Sequence, residues 1–114
     1  MTNAEQLRAA KALIDTPDKW TKGCFARRAD GLLLMRGESW DEAVCFCSEG
    51  AVRKASNGLL PPDVDRLLER AVPRTFHTSS NCRNFVLFND AEETSHADVM
   101  KMFDRAIKLA EAAQ

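Results

Sequence analysis

The strongest single constraint on this chain is the segment "PPDVDRLLERAV", residues 61–72. Its apolar residues Val64, Leu67, Leu68 and Ala71 recur at three- and four-residue spacing, which places them on one stripe of a helix and leaves charge everywhere else. Pro62 suits a first helical turn, Asp63 and Asp65 suit the N-terminal end of the dipole, and Pro73 stops the run. A helix this short with one apolar stripe does not stand alone in water. It must lie on other elements, so the rest of the chain has to supply apolar helical faces.

Two further segments supply them. Residues 4–15, "AEQLRAAKALID", carry Leu7, Ala10 and Ile14 at helical spacing, with Thr2 or Asn3 as cap and Pro17 beyond the end. The last helix is expected from Thr94 or Ser95 to about Ala112, with Val99, Phe103, Ala106 and Ala110 on one face and Asp98 helping the first turn. A fourth helix is expected from Trp40 to about Ser56, opened by Ser39 and Glu42 in a capping box and closed by Asn57-Gly58. Gly50 inside it costs roughly 1 kcal/mol relative to alanine, which implies a close approach of another backbone or a break between two short helices. "NFVLFND", residues 84–90, fits either a short helix or a buried extended segment. Asp30-Gly31 separates "CFARR" from "LLLM" and signals a hairpin of residues 23–28 and 32–36. Residues 74–83 read as a loop. The expected fold is mainly α, within α+β: four to five helices around one core and one small β-hairpin, in a single globular domain covering residues 1–114.

Composition excludes several classes of function. The chain has 114 residues, 45% of them hydrophobic and 29% charged, with a formal net charge of -1. That balance offers no electrostatic basis for binding nucleic acid or an anionic membrane. No apolar run reaches about 18 residues, so no bilayer span is expected. The N-terminal residues have neither a basic region nor an apolar stretch of a secretory signal, so a cytoplasmic protein with four free thiols is expected. P-loop, dinucleotide-binding, nucleophile-elbow, zincin and EF-hand motifs are absent from the sequence.

The order of "ALIDTPDKW", "FCSEGAV" and "FNDAEETSHADVMKMFDRAI" resembles a family of small bacterial and phage proteins catalogued only as a domain of unknown function. The resemblance is carried by Trp20, the Cys47–Gly50–Ala51 cluster, the Asn89-Asp90 pair and Thr94 through Val99. It implies a small soluble domain, often phage-associated, and brings no mechanism.

The residues themselves offer a short set of candidate sites. Cys47 would be an activated nucleophile if a helix begins beside it, because the positive end of the dipole favours thiolate. His96, in the first turn of the last helix, would then act as base, oriented by Asn89 or Asp90. The competing reading makes Cys47 a small buried residue and His96 a surface helical one. Cys45 and Cys47 would diverge on a helix and share a face only if extended, so no metal site is expected, and no cofactor. Asp90 with Asn89 fits either a polar-ligand site or a self-bonded turn before a capped helix. Trp20 and Trp40 fit a core edge or a protein interface, and Arg27 and Arg28 at the hairpin turn could hold an acidic partner. The small-residue face of Ala43, Phe46, Cys47, Gly50 and Ala51 reads first as a close-packing surface. Two functions follow: a non-enzymatic protein-interaction domain, with another protein or a second copy in a homodimer as partner, or a cysteine-dependent hydrolase or transferase.

Overall fold

The computed structural model describes residues 1–35, 37–76 and 84–113. Among these residues five helices run in the order α1 (Asn3–Leu13), α2 (Ser48–Ala55), α3 (Pro62–Ala71), α4 (Phe85–Asp90) and α5 (His96–Ala112). Two short strands, β1 (Ala26–Arg28) and β2 (Ala43–Phe46), lie between α1 and α2 in sequence. Single 3₁₀ turns lie at Pro17–Lys19 and Trp40–Glu42.

The helix ends follow the chemistry of their caps. Thr2 Oγ1 accepts from Glu5 N at 3.1 Å while Thr2 N donates back to the Glu5 carboxylate at 3.4 Å, a reciprocal cap that fixes the start of α1. Ser95 and Asp98 make the same exchange at 3.1 and 3.0 Å and start α5. Asn84 Oδ1 accepts from Val86 N at 2.8 Å, which resolves "NFVLFND" as a short helix. The chain leaves α2 through Asn57 and Gly58, both with positive φ (56° and 89°), and Gly58 N returns to Arg53 O.

α5 is the centre of the packing, with α1 and α3 against it and α2 against α1. Leu7, Ala10 and Ile14 of α1 and its cap meet Val99, Met102, Phe103 and Ala106 of α5 in the core, joined by Val64 and Leu68 of α3 and by Val52 and Phe85. Each large side chain among these contributes on the order of 1.5–3 kcal/mol by leaving water. Arg105 of α5 donates to Ala71 O at 2.8 Å and satisfies a carbonyl at the C-terminal end of α3.

The fold class is the expected one, but two elements between residues 23 and 47 differ from the sequence reading. The helix expected from Trp40 to Ser56 exists only from Ser48. Residues 43–46 are instead β2, antiparallel to β1 with Ala26 opposite Phe46 and Arg27 opposite Cys45. Val44 is the extra residue of a bulge and points outward. Ser39 does cap, but its hydroxyl accepts from Asp41 N at 3.2 Å and holds only the 3₁₀ turn. The physical reason is a non-local partner: β1 offers "AVCF" a ladder that a helix would forgo.

The hairpin also has a different second strand. The Asp30-Gly31 turn is formed, with Gly31 N to Arg28 O at 2.9 Å and Arg28 N to Leu32 O at 2.9 Å. Only Gly31 takes positive φ (85°), so the loop has three residues ending in a left-handed glycine rather than two. Beyond it the 32–35 arm makes one bridge, Arg27 with Leu33, and the bond Leu34 N to Ala26 O at 3.0 Å. Its outer edge is closed by Glu38, whose carboxylate accepts from Met35 N at 2.7 Å and from Arg28 at 2.9 Å. A carboxylate spent this way blocks further strand addition.

Gly50 is the joint between the sheet and α2. A Cβ there would sit 1.9 Å from Phe25 O and 2.8 Å from Phe25 C. The close backbone approach expected from the sequence is therefore real, and Phe25 O at that point also accepts from Cys47 N at 3.1 Å.

Candidate functional site

α4 is only six residues long, and its inward face consists of Phe85, Phe88 and Asn89. This spacing puts one amide in the core. Asn89 is fully buried, and five hydrogen bonds converge on it. Its Oδ1 accepts from Trp20 Nε1 at 2.7 Å, Ser48 N at 3.0 Å and Ser48 Oγ at 2.7 Å. Its Nδ2 donates to Thr21 O at 3.1 Å and Asp90 Oδ1 at 2.9 Å. The amide has one orientation: turned over, its NH2 would face the N–H groups of Trp20 and Ser48. A buried amide with every site filled is stabilising, because leaving any of those groups unpaired costs about 1–3 kcal/mol.

Cys47 stands at the N-cap of α2, so the helix start that the nucleophile reading needs is present. Its Sγ accepts from Gly50 N at 3.3 Å. The thiol nevertheless moves the wrong way. Burial is the largest influence and pushes its pKa from 9.0 up to about 11, against the lowering effect of the Gly50 and Glu49 N–H groups; the negative Asp90 and Glu49 raise it further. Desolvation outweighs the helix end, and a neutral thiol results.

His96 is the first residue of α5 and serves another purpose. Its Nε2 lies 2.7 Å from Ile14 O, and since a carbonyl only accepts, that nitrogen carries the proton. The contact satisfies the end of α1, where Ile14 is the C-cap. The imidazole also packs on Trp20, with ring centroids 5.8 Å apart. Among the described residues no hydrogen bond joins Cys47 to His96. Asp90 does come near Cys47, but its Oδ1 is bonded to Gly23 N at 2.9 Å and to Asn89, not to the imidazole. The three residues of the expected catalytic group are thus held by separate partners.

The expected binding residues are placed as follows. Trp20 is half-buried at the core edge, with its indole N–H on Asn89 and Lys22 Nζ 5.5 Å from the ring centroid. Trp40 is half-buried between Phe46, at 6.3 Å and nearly parallel, and Phe25, at 6.5 Å. Arg27 bonds Thr21 Oγ1 at 3.0 Å and Gly31 O at 3.3 Å, so it braces the hairpin. Arg28 bridges Asp30 at 2.7 Å and Glu38 at 2.9 Å. Arg28 is thus spent on two carboxylates, while both of these Arg27 bonds go to neutral oxygens.

Cys45 lies on β2, partly exposed, and Cys47 follows it at the strand's end, so the two are extended rather than helical. Among the described residues no group of three His, Cys, Asp or Glu side chains could hold a metal. His77 and Cys82 lie outside the described residues.

The surface feature that sequence reasoning missed is the outer face of the hairpin. Leu32 and Met35 are each 62% exposed, Phe25 47% and Leu33 45%. Beside them runs a cleft of about 410 Å³ whose walls include Cys24, Phe25, Leu34 and Val86, with the buried Cys47 and the exposed Asp90 also lining it. A second cleft of about 370 Å³ lies on the other side of Phe25 and Met35, against Trp40 and Glu38. The signal was available: "LLLM" is four apolar residues in a row beside a turn, and a two-stranded sheet covers only one face of such an arm.

The sequence model of a family of unknown function (DUF6197) matches residues 1–109. No curated protein matches the chain, and neither does any solved structure.

Proposed function

We propose, for a chain that belongs to the DUF6197 family of unknown function, a non-enzymatic role as a protein-interaction domain that docks its partner on the hairpin face. One observation carries this reading: large apolar side chains at Phe25, Leu33 and Met35 are exposed around one cleft, with Leu32 exposed beside them at the turn. Contiguous apolar surface rimmed by polar residues is the mark of a docking site. The charged groups around it support the same reading. Arg28 bridges Asp30 and Glu38, which ties these charges to one another and braces the hairpin beside the face. The buried Asn89 network and the Gly50 joint fix the hairpin on the helices and limit the entropy lost on binding.

The cysteine-dependent alternative has less behind it, since the Cys47 thiol is buried and raised to about 11. The proposal includes a cytoplasmic setting, in keeping with described residues in which no helix is long and apolar enough to cross a membrane. An accessory role beside a phage or its bacterial host fits the resemblance and belongs to the same proposal.

The test is a capture experiment followed by reconstitution. A partner recovered from bacterial lysate is purified and titrated against the parent chain and against a Leu33→Asp/Met35→Asp double variant whose circular dichroism and Tm match the parent. Binding weakened tenfold or more in the variant is expected. Equal binding of both, or no partner that reconstitutes, rejects the docking face.

A further inference from the structure

We infer that the cleft beside the 32–35 arm selects a partner segment in which an apolar side chain adjoins a positive charge: a lysine, an arginine or a free amino terminus. The inference rests on the reading of this face as a protein-docking surface. Among the described residues that line the cleft, Asp90 is the one that carries a charge, and the other walls are Phe25, Leu34, Val86 and their neighbours. Two hydrogen bonds to one oxygen, from Gly23 N and Asn89 Nδ2, both at 2.9 Å, hold the carboxylate in place. Among the described residues it has no ion-pair partner, whereas Asp30 and Glu38 on the same hairpin are both paired with Arg28.

Asp90 is also the last residue of α4, where the final carbonyls add partial negative charge. That end already draws one cation: Lys22 Nζ donates to Ala91 O and Glu92 O. The ammonium sits on the carbonyls and leaves Asp90 itself without an ion pair. A neutral apolar partner covering the cleft would strip water from an unpaired carboxylate, which is costly. A partner bearing a cation beside its apolar side chain buries the same walls and compensates the charge. An acidic partner would be repelled.

Three small probes isolate this preference: leucinamide, whose ammonium adjoins an isobutyl group; N-acetyl-leucinamide, which is neutral; and N-acetyl-leucine, which is an anion. Each is titrated into the ¹⁵N-labelled full chain at pH 6.5, below the usual α-amino pKa of about 7.7–8.0. Leucinamide is expected to shift the amides of Gly23, Cys24 and Asp90 with an affinity about fivefold or more above the neutral probe, the size of a partly exposed ion pair. The anion is expected to be weakest. Asp90→Asn keeps an oxygen for Gly23 N and should erase the difference, as should 0.5 M salt, roughly a 4 Å screening length. Equal responses to the three probes, no response at the cleft, an undiminished preference in Asp90→Asn, or a dimer sealing this face at the concentration used would each overturn the inference. A partner that loses the Leu33→Asp/Met35→Asp variant but binds Asp90→Asn like the parent would reject the cation preference and keep the docking face.

Discussion

Replacing Gly50 by alanine sets two physical effects against each other, and the sign of the result decides which governs the joint between hairpin and helices. On helix propensity alone, Gly50→Ala inside α2 should stabilise the protein by about 1 kcal/mol. The structure demands the reverse. The new methyl would lie 1.9 Å from Phe25 O and 2.8 Å from Phe25 C, both backbone atoms that cannot rotate away. Relief requires β1 to move off α2, which breaks the Cys47 N to Phe25 O bond of 3.1 Å beside the buried Phe46 and Ala26. Overpacking of this kind costs about 1–3 kcal/mol or more, and the buried N–H left without its acceptor adds about 1–3 kcal/mol. After the propensity gain, a net loss of about 2–4 kcal/mol is expected, a drop in Tm of roughly 8–15 °C for a domain of this size. Urea denaturation followed by circular dichroism measures it, with Ala55→Gly in the same helix as a propensity control. A Gly50→Ala protein as stable as the parent, or more so, would show that α2 and β1 do not touch here, and the placement of the hairpin would be wrong.

Asn89→Ala removes the acceptor shared by Trp20 Nε1, Ser48 N and Ser48 Oγ. A loss of about 3–5 kcal/mol and altered Trp20 fluorescence are expected in chemical denaturation, and a loss under 1 kcal/mol would contradict the network. Cys47 should resist iodoacetamide at pH 8 while the partly exposed Cys24 and Cys45 react, as peptide mapping would read; labelling of Cys47 as fast as the other two would reinstate it as a reactive thiol. Because its folded pKa is raised, the neutral Cys47 thiol contributes stability that is complete below 9.0 and is lost as pH climbs through about 11, so Cys47→Ala should flatten the alkaline limb of a stability–pH curve. Glu38 behaves oppositely. The Met35 N–H and then Arg28 hold its carboxyl below the ordinary 4.5, so its contribution is present above that value and fades as pH falls through the lowered one. Tm measured between neutral and strongly acidic pH should decline less steeply in Glu38→Gln, and an unchanged acid slope would count against that carboxylate as the clasp of the arm.

The helical frame was legible because its signals are local. The stripe of Val64, Leu67, Leu68 and Ala71 and the caps at Thr2 and Ser95 each lie within a few residues of what they control, and α1, α3 and α5 follow them. Gly50 was legible for a similar reason: a glycine inside a helix loses stability unless something needs the space. "AVCF" was not, since four apolar residues suit a helix or a strand equally, and the choice fell to a partner strand some 17 positions upstream, as Arg28 opposite Ala43 and Ala26 opposite Phe46 bracket it. Asn89 illustrates the same limit in the site. Its sequence neighbourhood describes a self-bonded turn, and only its partners Trp20, Thr21 and Ser48, separated from it by 69, 68 and 41 positions, make it the buried junction of α4, α2 and the segment that leads into β1. The thiol at Cys47 turned on burial in the same way, because the helix end beside it could be read from the chain but the loss of water could not. Residues near one another in sequence determined which helices form. What the hairpin pairs with, which polar groups are buried, and which apolar side chains remain uncovered depended on long-range contacts, and those exist only once the helices have packed.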